Sequence, residues 1–201
     1  MRLRSSTAPS FFCCLVMFLA GNAWAAEQQV DIGEIAKQWP DAFDLLGTKT
    51  EPTWIEHVSL RRRGDVFLLE GGGLGGLEQV VEAVHVTKTG AIQHLACPPM
   101  RDCSEGEPLS GFLASAQFLA YHRSSRLHGS AAVVPYGDRH VFCLPAEMIG
   151  VQDPILDPCF DVATGAVLAQ RHRNDGSFDG PSLDASTIRF LTPGAADARS
   201  E

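Results

Sequence analysis

The sequence predicts an α+β fold in which one or two antiparallel β-sheets are packed by two main helical segments. Two observations support this prediction. Apolar residues recur at helical spacing in two separate stretches, and each stretch is followed by short β-type segments that turn residues divide. Beyond the first 25 residues the chain keeps four cysteines, and this even number indicates a domain held by disulfides.

The first 25 residues are typical of a secretory signal peptide. Arg2 and Arg4 precede the apolar run FFCCLVMFLA, and Ala23 and Ala25 flank Trp24 in an A-x-A cleavage site. The apolar run is shorter than the roughly 20 residues that a membrane span needs. We therefore expect cleavage after Ala25 and a soluble periplasmic or secreted product that does not insert into a membrane.

Export changes what the cysteines indicate. Two of the six lie in the leader, and in an exported chain the remaining four favour disulfides over a metal site. We expect Cys97 to pair with Cys103 across the loop CPPMRDC, and Cys143 to pair with Cys159. A zinc site is the alternative, but the spacings C-x5-C and C-x15-C fit common zinc patterns poorly.

The mature chain is acidic. Of the 16 Lys and Arg residues, two lie in the leader, which leaves 14 against 24 acidic residues and a formal net charge of −10. This charge argues against nucleic acid and anionic membranes as partners, and it favours a basic partner surface. The length suits one domain over residues 26–192, followed by a disordered tail over 193–201.

The first helical segment is expected after Asp31, an N-cap residue with Glu34 three positions later. Pro40 interrupts the helical spacing, so the sequence predicts a kinked pair of short helices that ends at Gly47. From there the pattern becomes β-type, which predicts an antiparallel meander. Its segments are 54–62, 65–70, 78–87 and 91–97.

The same plan then restarts with a second helix over 110–129, in which Ser110 is the N-cap and Gly129 the stop. Strands are predicted after it at 131–136, 139–145, 159–164, 166–173 and 187–191. A shift of 75 residues superimposes six identical residues of the two meanders and carries Leu68 and Val84 onto two of the cysteines. The segments 30–100 and 105–192 are therefore candidates for tandem units that arose by duplication.

Gly71, Gly73 and Gly76 match the dinucleotide-binding pattern G-x-G-x-x-G. That site needs a long helix after the glycines and an acidic residue about 20 positions on. Here the β-branched residues of 80–86 favour a strand, and HLACPP stands where the acidic residue should be. We interpret the glycines as a loop between strands and expect no cofactor.

Two other motifs have ordinary structural explanations. The adhesion-like triplet Arg63, Gly64 and Asp65 fits a tight turn between two strands. His122 and Arg126 lie four residues apart near a helix end, where cations interact favourably with the helix dipole. We therefore interpret both motifs as structural.

Two patterns are candidates for metal binding. Asp175 and Asp179 occupy positions 1 and 5 of a calcium-loop pattern, but Ser186 stands where the final Glu belongs, so we expect tight turns. If the hairpin loop between them had two residues, His85 and His94 would face each other closely enough for one metal ion. We favour exposed cross-strand polar residues there and expect no metal.

The sequence contains no G-x-S-x-G motif, and its mature cysteines are assigned to disulfides. We therefore expect an exported protein that binds a protein or a small molecule, as an inhibitor or an accessory subunit, rather than an enzyme. The alternative is a small exported hydrolase whose Ser–His–acid or metal site assembles in space. A deep pocket with a His–carboxylate cluster would favour the hydrolase, and a flat apolar patch would favour binding.

Overall fold

The computed structural model describes residues 28–50, 55–73, 80–97, 103, 111–151, 155–178 and 182–193. The predicted leader and all but the first residue of the predicted tail lie outside these ranges, as do Gly76, Ser110 and Asp179. The strands are β1 (Gln29–Asp31), β2 (Ala42–Thr50), β3 (Ile55–Arg63), β4 (Val66–Gly73), β5 (Val80–Val86), β6 (Ile92–Ala96), β7 (Ser130–Tyr136), β8 (Arg139–Cys143), β9 (Leu156–Asp161), β10 (Val167–His172) and β11 (Arg189–Leu191). The α-helices are α1 (Ile32–Ile35) and α2 (Ala114–Arg123).

The strands form two antiparallel sheets, which confirms the predicted mixed α+β class. One sheet has five strands in the order β1-β7-β8-β9-β10, and the other has six in the order β11-β2-β3-β4-β5-β6. Each sheet is a meander from one half of the chain plus one terminal strand from the other half. Gln29 of β1 pairs with Ala132 in the five-stranded sheet, and Phe190 of β11 pairs with Leu45 in the six-stranded sheet.

The two meanders differ in register. In the six-stranded sheet Val84 pairs with Phe67, whereas in the five-stranded sheet Cys159 pairs with Cys143. A 75-residue shift of the second pair would set Leu68, rather than Phe67, opposite Val84. The hairpins are thus offset by one residue, and the internal duplication stays a prediction.

The first helix begins where its cap was expected. Asp31 Oδ1 accepts hydrogen bonds from the backbone N–H groups of Gly33 and Glu34, at 2.8 and 3.2 Å. The helix continues as a 3-10 turn over Ala36–Gln38 and stops before Pro40. This agrees with a cap that satisfies the first free amides and a proline that cannot continue the helix.

The second member of the predicted helix pair is wrong, because its residues form strand β2. Phe43 and Leu45 are buried in the core, and as alternate residues of a strand they lie on one face of the sheet. The same apolar residues also fit helical spacing, since Phe43 and Leu46 are three positions apart. Pairing with β3 along nine residues decides the matter in favour of the strand.

Helix α2 lies between the two sheets. On one side the ring of Phe118 lies 5.2 Å from the ring of Phe160 and 6.1 Å from that of Phe142, both in the five-stranded sheet. On the other side the β5–β6 turn touches the helix so closely that a side-chain carbon on Gly90 would lie 2.4 Å from the carbonyl oxygen of Ala120. One continuous hydrophobic core therefore includes both sheets and the helix.

Helix α2 ends at Arg123, six residues before the predicted stop at Gly129. Ser124 Oγ donates to the carbonyl oxygens of Ala120 and Tyr121, both at 3.1 Å, and Ser125 adopts a left-handed φ of 55°. These local bonds replace the next helical turn. Within the described ranges no helix has the length and apolar character needed to cross a bilayer.

Candidate functional site

A cavity of 420 Å³ opens at one end of the five-stranded sheet. Its walls are Gln28, which precedes β1, and two hairpin ends, each a turn with the adjoining strand residues: 138–140 between β7 and β8, and 161–163 between β9 and β10. This volume lies within the range of pockets that hold small molecules or a partner's side chain. The cavity is therefore the candidate site, and its two turns determine its chemistry.

The β9–β10 turn is shaped by the segment Asp161–Gly165. Gly165 has a left-handed φ of 73°, which glycine adopts without strain, and its N–H donates to the carbonyl oxygen of Asp161 at 2.8 Å. Val162 N–H donates to the carbonyl oxygen of His140 at 2.9 Å. This bond joins the two turns, so they form one continuous wall.

The turn is also fixed from the side away from the cavity. Trp39 Nε1 donates to the carbonyl oxygen of Val162 at 3.2 Å, and Ser115 Oγ of α2 donates to that of Gly165 at 2.7 Å. The same Ser115 oxygen accepts a hydrogen bond from Val167 N–H at 3.2 Å. Buried groups from three parts of the chain thus hold the wall in one conformation, which reduces the ordering that a ligand must cause.

An ion pair lies at the base of the cavity. Arg139 donates from Nε and Nη2 to the two carboxylate oxygens of Asp161, at 3.1 and 3.0 Å, and Thr164 Oγ1 donates to the same carboxylate at 2.6 Å. The Asp161 side chain is only 2% exposed, and the guanidinium carbon of Arg139 lies 4.4 Å from the ring centroid of Phe190. Because both charges are bonded and packed, this pair is part of the scaffold.

The other polar groups of the cavity face solvent. Asp138 and His140 are exposed, and among the described residues no salt bridge involves the carboxylate of Asp138. Since Arg139 already neutralises Asp161, Asp138 contributes one uncompensated negative charge to the lining. None of the described lining residues is Ser, Thr or Cys, so they offer hydrogen bonds and charge but no hydroxyl or thiol nucleophile.

Four of the six cysteines form two disulfides. Cys143 and Cys159 are directly opposite each other on β8 and β9, with Cα atoms 4.0 Å apart. Cys97 and Cys103 are joined with Cα atoms 6.1 Å apart, immediately after β6. The first bond fastens together two strands whose ends form walls of the cavity.

The structure does not bring His85 and His94 together. The β5–β6 turn has three residues, 88–90, instead of two, and this register places His85 opposite Gln93 and His94 opposite Val84. His85 Nδ1 lies 3.2 Å from Gln93 Oε1, and His94 points to the other face of the sheet. Both ring nitrogens of His94 are buried there, so the expectation of an exposed residue is wrong for His94. No group of three or more metal-binding side chains occurs in the part of the chain that the structure describes.

Asp175 stabilises a tight turn. The backbone N–H of Ser177 donates to Asp175 Oδ1 at 2.9 Å, and this bond lowers the pKa of the carboxyl below its usual range. Gly176 has a left-handed φ of 73° and donates to the carbonyl oxygen of His172. Asp179, the second member of the proposed calcium pattern, lies outside the described residues.

The RGD triplet is the β3–β4 turn, in which Gly64 has a left-handed φ of 59°. Arg63 forms an ion pair with Asp44, and Asp65 forms one with Arg123. Both charged side chains of the triplet are therefore engaged within the fold.

His122 lies in the last turn of α2, and Arg126 lies three residues after the helix ends. Burial, followed by the charge of Lys37, lowers the pKa of His122, which disfavours the charged form that a favourable interaction with the helix dipole requires. The guanidinium of Arg126 lies 5.3 Å from the ring of Tyr121. Arg126 thus packs on the aromatic ring of the helix that it follows, and His122 is partly buried.

The glycine motif belongs to the six-stranded sheet. Gly71 and Gly73 lie in β4, where they pair with Val58 and Glu56, so the prediction that they belong to a loop is wrong. The next described segment is strand β5, as predicted, instead of a crossover helix. A side-chain carbon on Gly71 would lie 2.7 Å from Glu56 Oε1, so a neighbouring carboxylate occupies that space. This is close packing within a sheet rather than a phosphate cradle.

The sequence did not reveal the cavity residues. The sequence predicts only a turn and a strand for the segment around Asp138, Arg139 and His140, and only a strand for Asp161. One signal was available: Asp161 stands among the apolar residues of the CFDVA segment, and a buried charge requires a partner.

A scan against models of protein families found no match to this chain, and searches of curated proteins and of solved structures found none either.

Proposed function

We propose that this chain is an exported binding protein whose cavity accepts a cationic group, such as a Lys or Arg side chain, from a basic partner. One observation carries the proposal. Asp138 contributes an uncompensated negative charge to a cavity in which the half-buried Arg139 neutralises the buried Asp161. The acidic character of the whole chain acts in the same direction, because it attracts a basic partner over long range.

The character of the lining supports binding over covalent catalysis. Its described side chains include no hydroxyl or thiol, and three hydrogen bonds already engage the carboxylate of Asp161. The walls are fixed by Trp39 and Ser115, so the cavity does not have to be ordered by its ligand.

The contribution of this cavity to affinity is modest. An exposed carboxylate paired with a cation contributes about 0.2–1 kcal/mol, and salt screens the attraction. A free amino acid derivative should therefore bind weakly, and a protein partner must add contacts outside the cavity.

The test is an NMR titration of the full chain with N-acetyl-arginine amide. We expect salt-sensitive shifts of the amides at 138–140 and 161–163, and we expect them to disappear in Asp138→Asn. N-acetyl-citrulline amide, which has nearly the same shape without the charge, should leave these amides unmoved. The control is Asp41→Asn, which removes an acid that is 96% exposed and does not line the cavity. The cation site is refuted if N-acetyl-citrulline amide binds as well as N-acetyl-arginine amide. It is also refuted if Asp138→Asn binds the arginine derivative as well as the parent does.

Export is tested separately by N-terminal sequencing of protein from the exported fraction. We expect the mature N-terminus at Ala26 or within one or two residues of it. An intact Met1 on a membrane-embedded protein would overturn the proposed location. That result would not test the proposed cation site in the cavity.

The alternative, a small exported hydrolase, is supported by one observation: His140 shares the cavity with Asp138 and Asp161. An imidazole beside a carboxylate can activate a water molecule. A screen of ester, glycoside and phosphoester substrates would favour this alternative if it found turnover that His140→Ala abolishes.

A further inference from the structure

Strand β6, Ile92–Ala96, is one edge of the six-stranded sheet, and no strand in the described ranges pairs with its outer side. An open edge presents unpaired backbone N–H and C=O groups to any strand that reaches it. The side chains of Gln93 and Leu95 are exposed beside this edge, and Leu95 is 59% exposed.

The other sheet edges carry protection that β6 lacks. Strands β1 and β11 are each three residues long and contain the charged residues Asp31 and Arg189. Strand β10 is covered by residues 182 and 183. Leu183 N–H donates to the carbonyl oxygen of Leu168 at 2.9 Å, and Gln170 N–H donates to Ser182 Oγ at 3.0 Å. By contrast, β6 has five residues, and the segment AIQHLAC contains no proline and no Asp, Glu, Lys or Arg. Short length, charge and covering are the usual protections of an edge, and among the described residues β6 has none of them, so we treat it as open for pairing.

The hairpin geometry shows which backbone groups are available. Thr87 N–H donates to the carbonyl oxygen of Ala91 at 2.8 Å, which makes these two residues a hydrogen-bonded pair. Hydrogen-bonded and non-hydrogen-bonded pairs alternate along antiparallel strands, so Gln93 bonds to His85 on β5. The N–H and C=O groups of Ile92 and His94 therefore point away from β5, towards the open side.

We propose that β6 pairs with β6 of a second copy of this chain, antiparallel about a two-fold axis at Gln93. In this arrangement Ile92 of each copy exchanges backbone hydrogen bonds with His94 of the other copy. The two Gln93 side chains lie side by side, and each Leu95 covers the Ala91 of the other copy. A two-fold interface uses the same patch on both copies, and this short segment supplies both halves of it.

The absence of charged side chains favours a second copy as the occupant. Two identical segments with charged side chains would place like charges opposite each other, which destabilises cross-strand pairs. The segment AIQHLAC avoids this. The net negative charge of the two copies opposes association over long range, so the dimer should strengthen as salt screens that repulsion.

The test is sedimentation velocity of the full chain over a range of concentrations, with two charge variants. Gln93→Lys and Gln93→Glu each place like charges on the two-fold axis, and we expect the dimer dissociation constant to rise about fivefold or more in each. An equimolar mixture of the two variants should form dimers at least as well as the parent, because opposite charges then meet. Gln38→Lys, at an exposed position on the first helical segment, is the control and should behave like the parent.

Hydrogen exchange provides a second measurement that does not depend on any substitution. The amides of Ile92 and His94 should exchange rapidly in dilute solution and slow as the protein is concentrated, whereas the Gln93 amide should be protected throughout. A parent protein that stays monomeric at every concentration overturns the proposal, and so does a Lys–Glu mixture that associates no better than either variant alone.

Discussion

Gly165 shows how much of the cavity depends on one residue without a side chain. It combines a left-handed backbone with contact against an aromatic ring, because a side-chain carbon there would lie 2.4 Å from the ring of Trp39. Trp39 in turn holds the carbonyl of Val162 in the cavity wall. Gly165 therefore affects both the conformation of the cavity wall and the packing of Trp39 in the core.

We predict that Gly165→Ala destabilises the protein by about 3 kcal/mol, because a left-handed alanine costs about 1–2 kcal/mol and overpacking against a buried ring adds a similar amount. Urea denaturation measures the loss. Gly176→Ala is the matched control, since Gly176 has the same φ of 73° but nothing within 4 Å of the added carbon. It should cost only about 1 kcal/mol. Equal losses in the two variants would show that Trp39 does not constrain the turn.

Between elements, Arg123 connects the end of α2 to the six-stranded sheet. It donates to the backbone carbonyl oxygens of Val86 and Thr87, at 2.7 and 3.1 Å, and forms an ion pair with Asp65 in the β3–β4 turn. The side-chain hydrogen bond from Arg123 is the main reason that the pKa of Asp65 lies below its usual value. One guanidinium thus holds a helix against two hairpin turns.

This ion pair predicts a pH dependence with a defined sign. Because the pKa of Asp65 is lower in the folded than in the unfolded chain, its contribution to stability is present above the unfolded value of about 3.9 and is lost as the pH falls through the folded value. Asp65→Asn should be less stable than the parent at pH 7, and the difference should shrink on acidification. Thermal unfolding from pH 7 down to pH 3 checks this. A difference that stays constant over the range would mean that the charge of Asp65 contributes nothing.

The disulfide between β8 and β9 should stabilise the fold more than the one after β6. For the longer loop, closed by Cys143 and Cys159, the chain-entropy model gives about 3 kcal/mol, and for the short loop closed by Cys97 and Cys103 about 2 kcal/mol. Replacing both cysteines of each pair by alanine, followed by denaturation in urea, compares them. Non-reducing peptide mapping checks the connectivity, and a Cys97–Cys159 link would contradict it.

Local signals made some elements predictable, and long-range pairing decided the others. The Asp31 cap and the order of the strands follow from residues close together in the sequence. Strand β2 could not be predicted in this way, because its apolar residues fit both the helical and the strand period, and only pairing with β3 selects the strand. The cavity was hidden for the same reason: Arg139 and Asp161 meet only once the register of β8 and β9 is set.

At the scale of the whole molecule, the terminal strands make the two halves inseparable. Strand β1 belongs to the sheet of the second half and β11 to the sheet of the first, while α2 packs on β5 and β6 of one sheet and, through Phe118, on the other. Neither tandem segment contains all the strands of its own sheet. We therefore expect the two sheets to unfold together in a single transition.

We predict that ending the chain after Asp184 destabilises both sheets, although β11 belongs to only one. The truncation removes β11 and with it Phe190. The Phe190 ring packs on Phe43 in the six-stranded sheet and lies under Arg139 of the five-stranded sheet. Hydrogen exchange of amides in β3 and in β8 reports on the sheets separately, and both should become less protected. A chain that ends after Pro193 keeps β11 and is the control. Loss of protection in β3 alone would mean that the sheets are independent.

The pairing of each cysteine with the next one along the mature chain has a consequence for biosynthesis. A chain that enters an oxidising compartment from its N-terminus presents Cys97 and Cys103 together, and later presents Cys143 and Cys159. Oxidation in the order of arrival therefore produces the native bonds, with no wrong pair to be exchanged afterwards. If the chain is exported as proposed, its folding should require a thiol oxidase but not a disulfide isomerase.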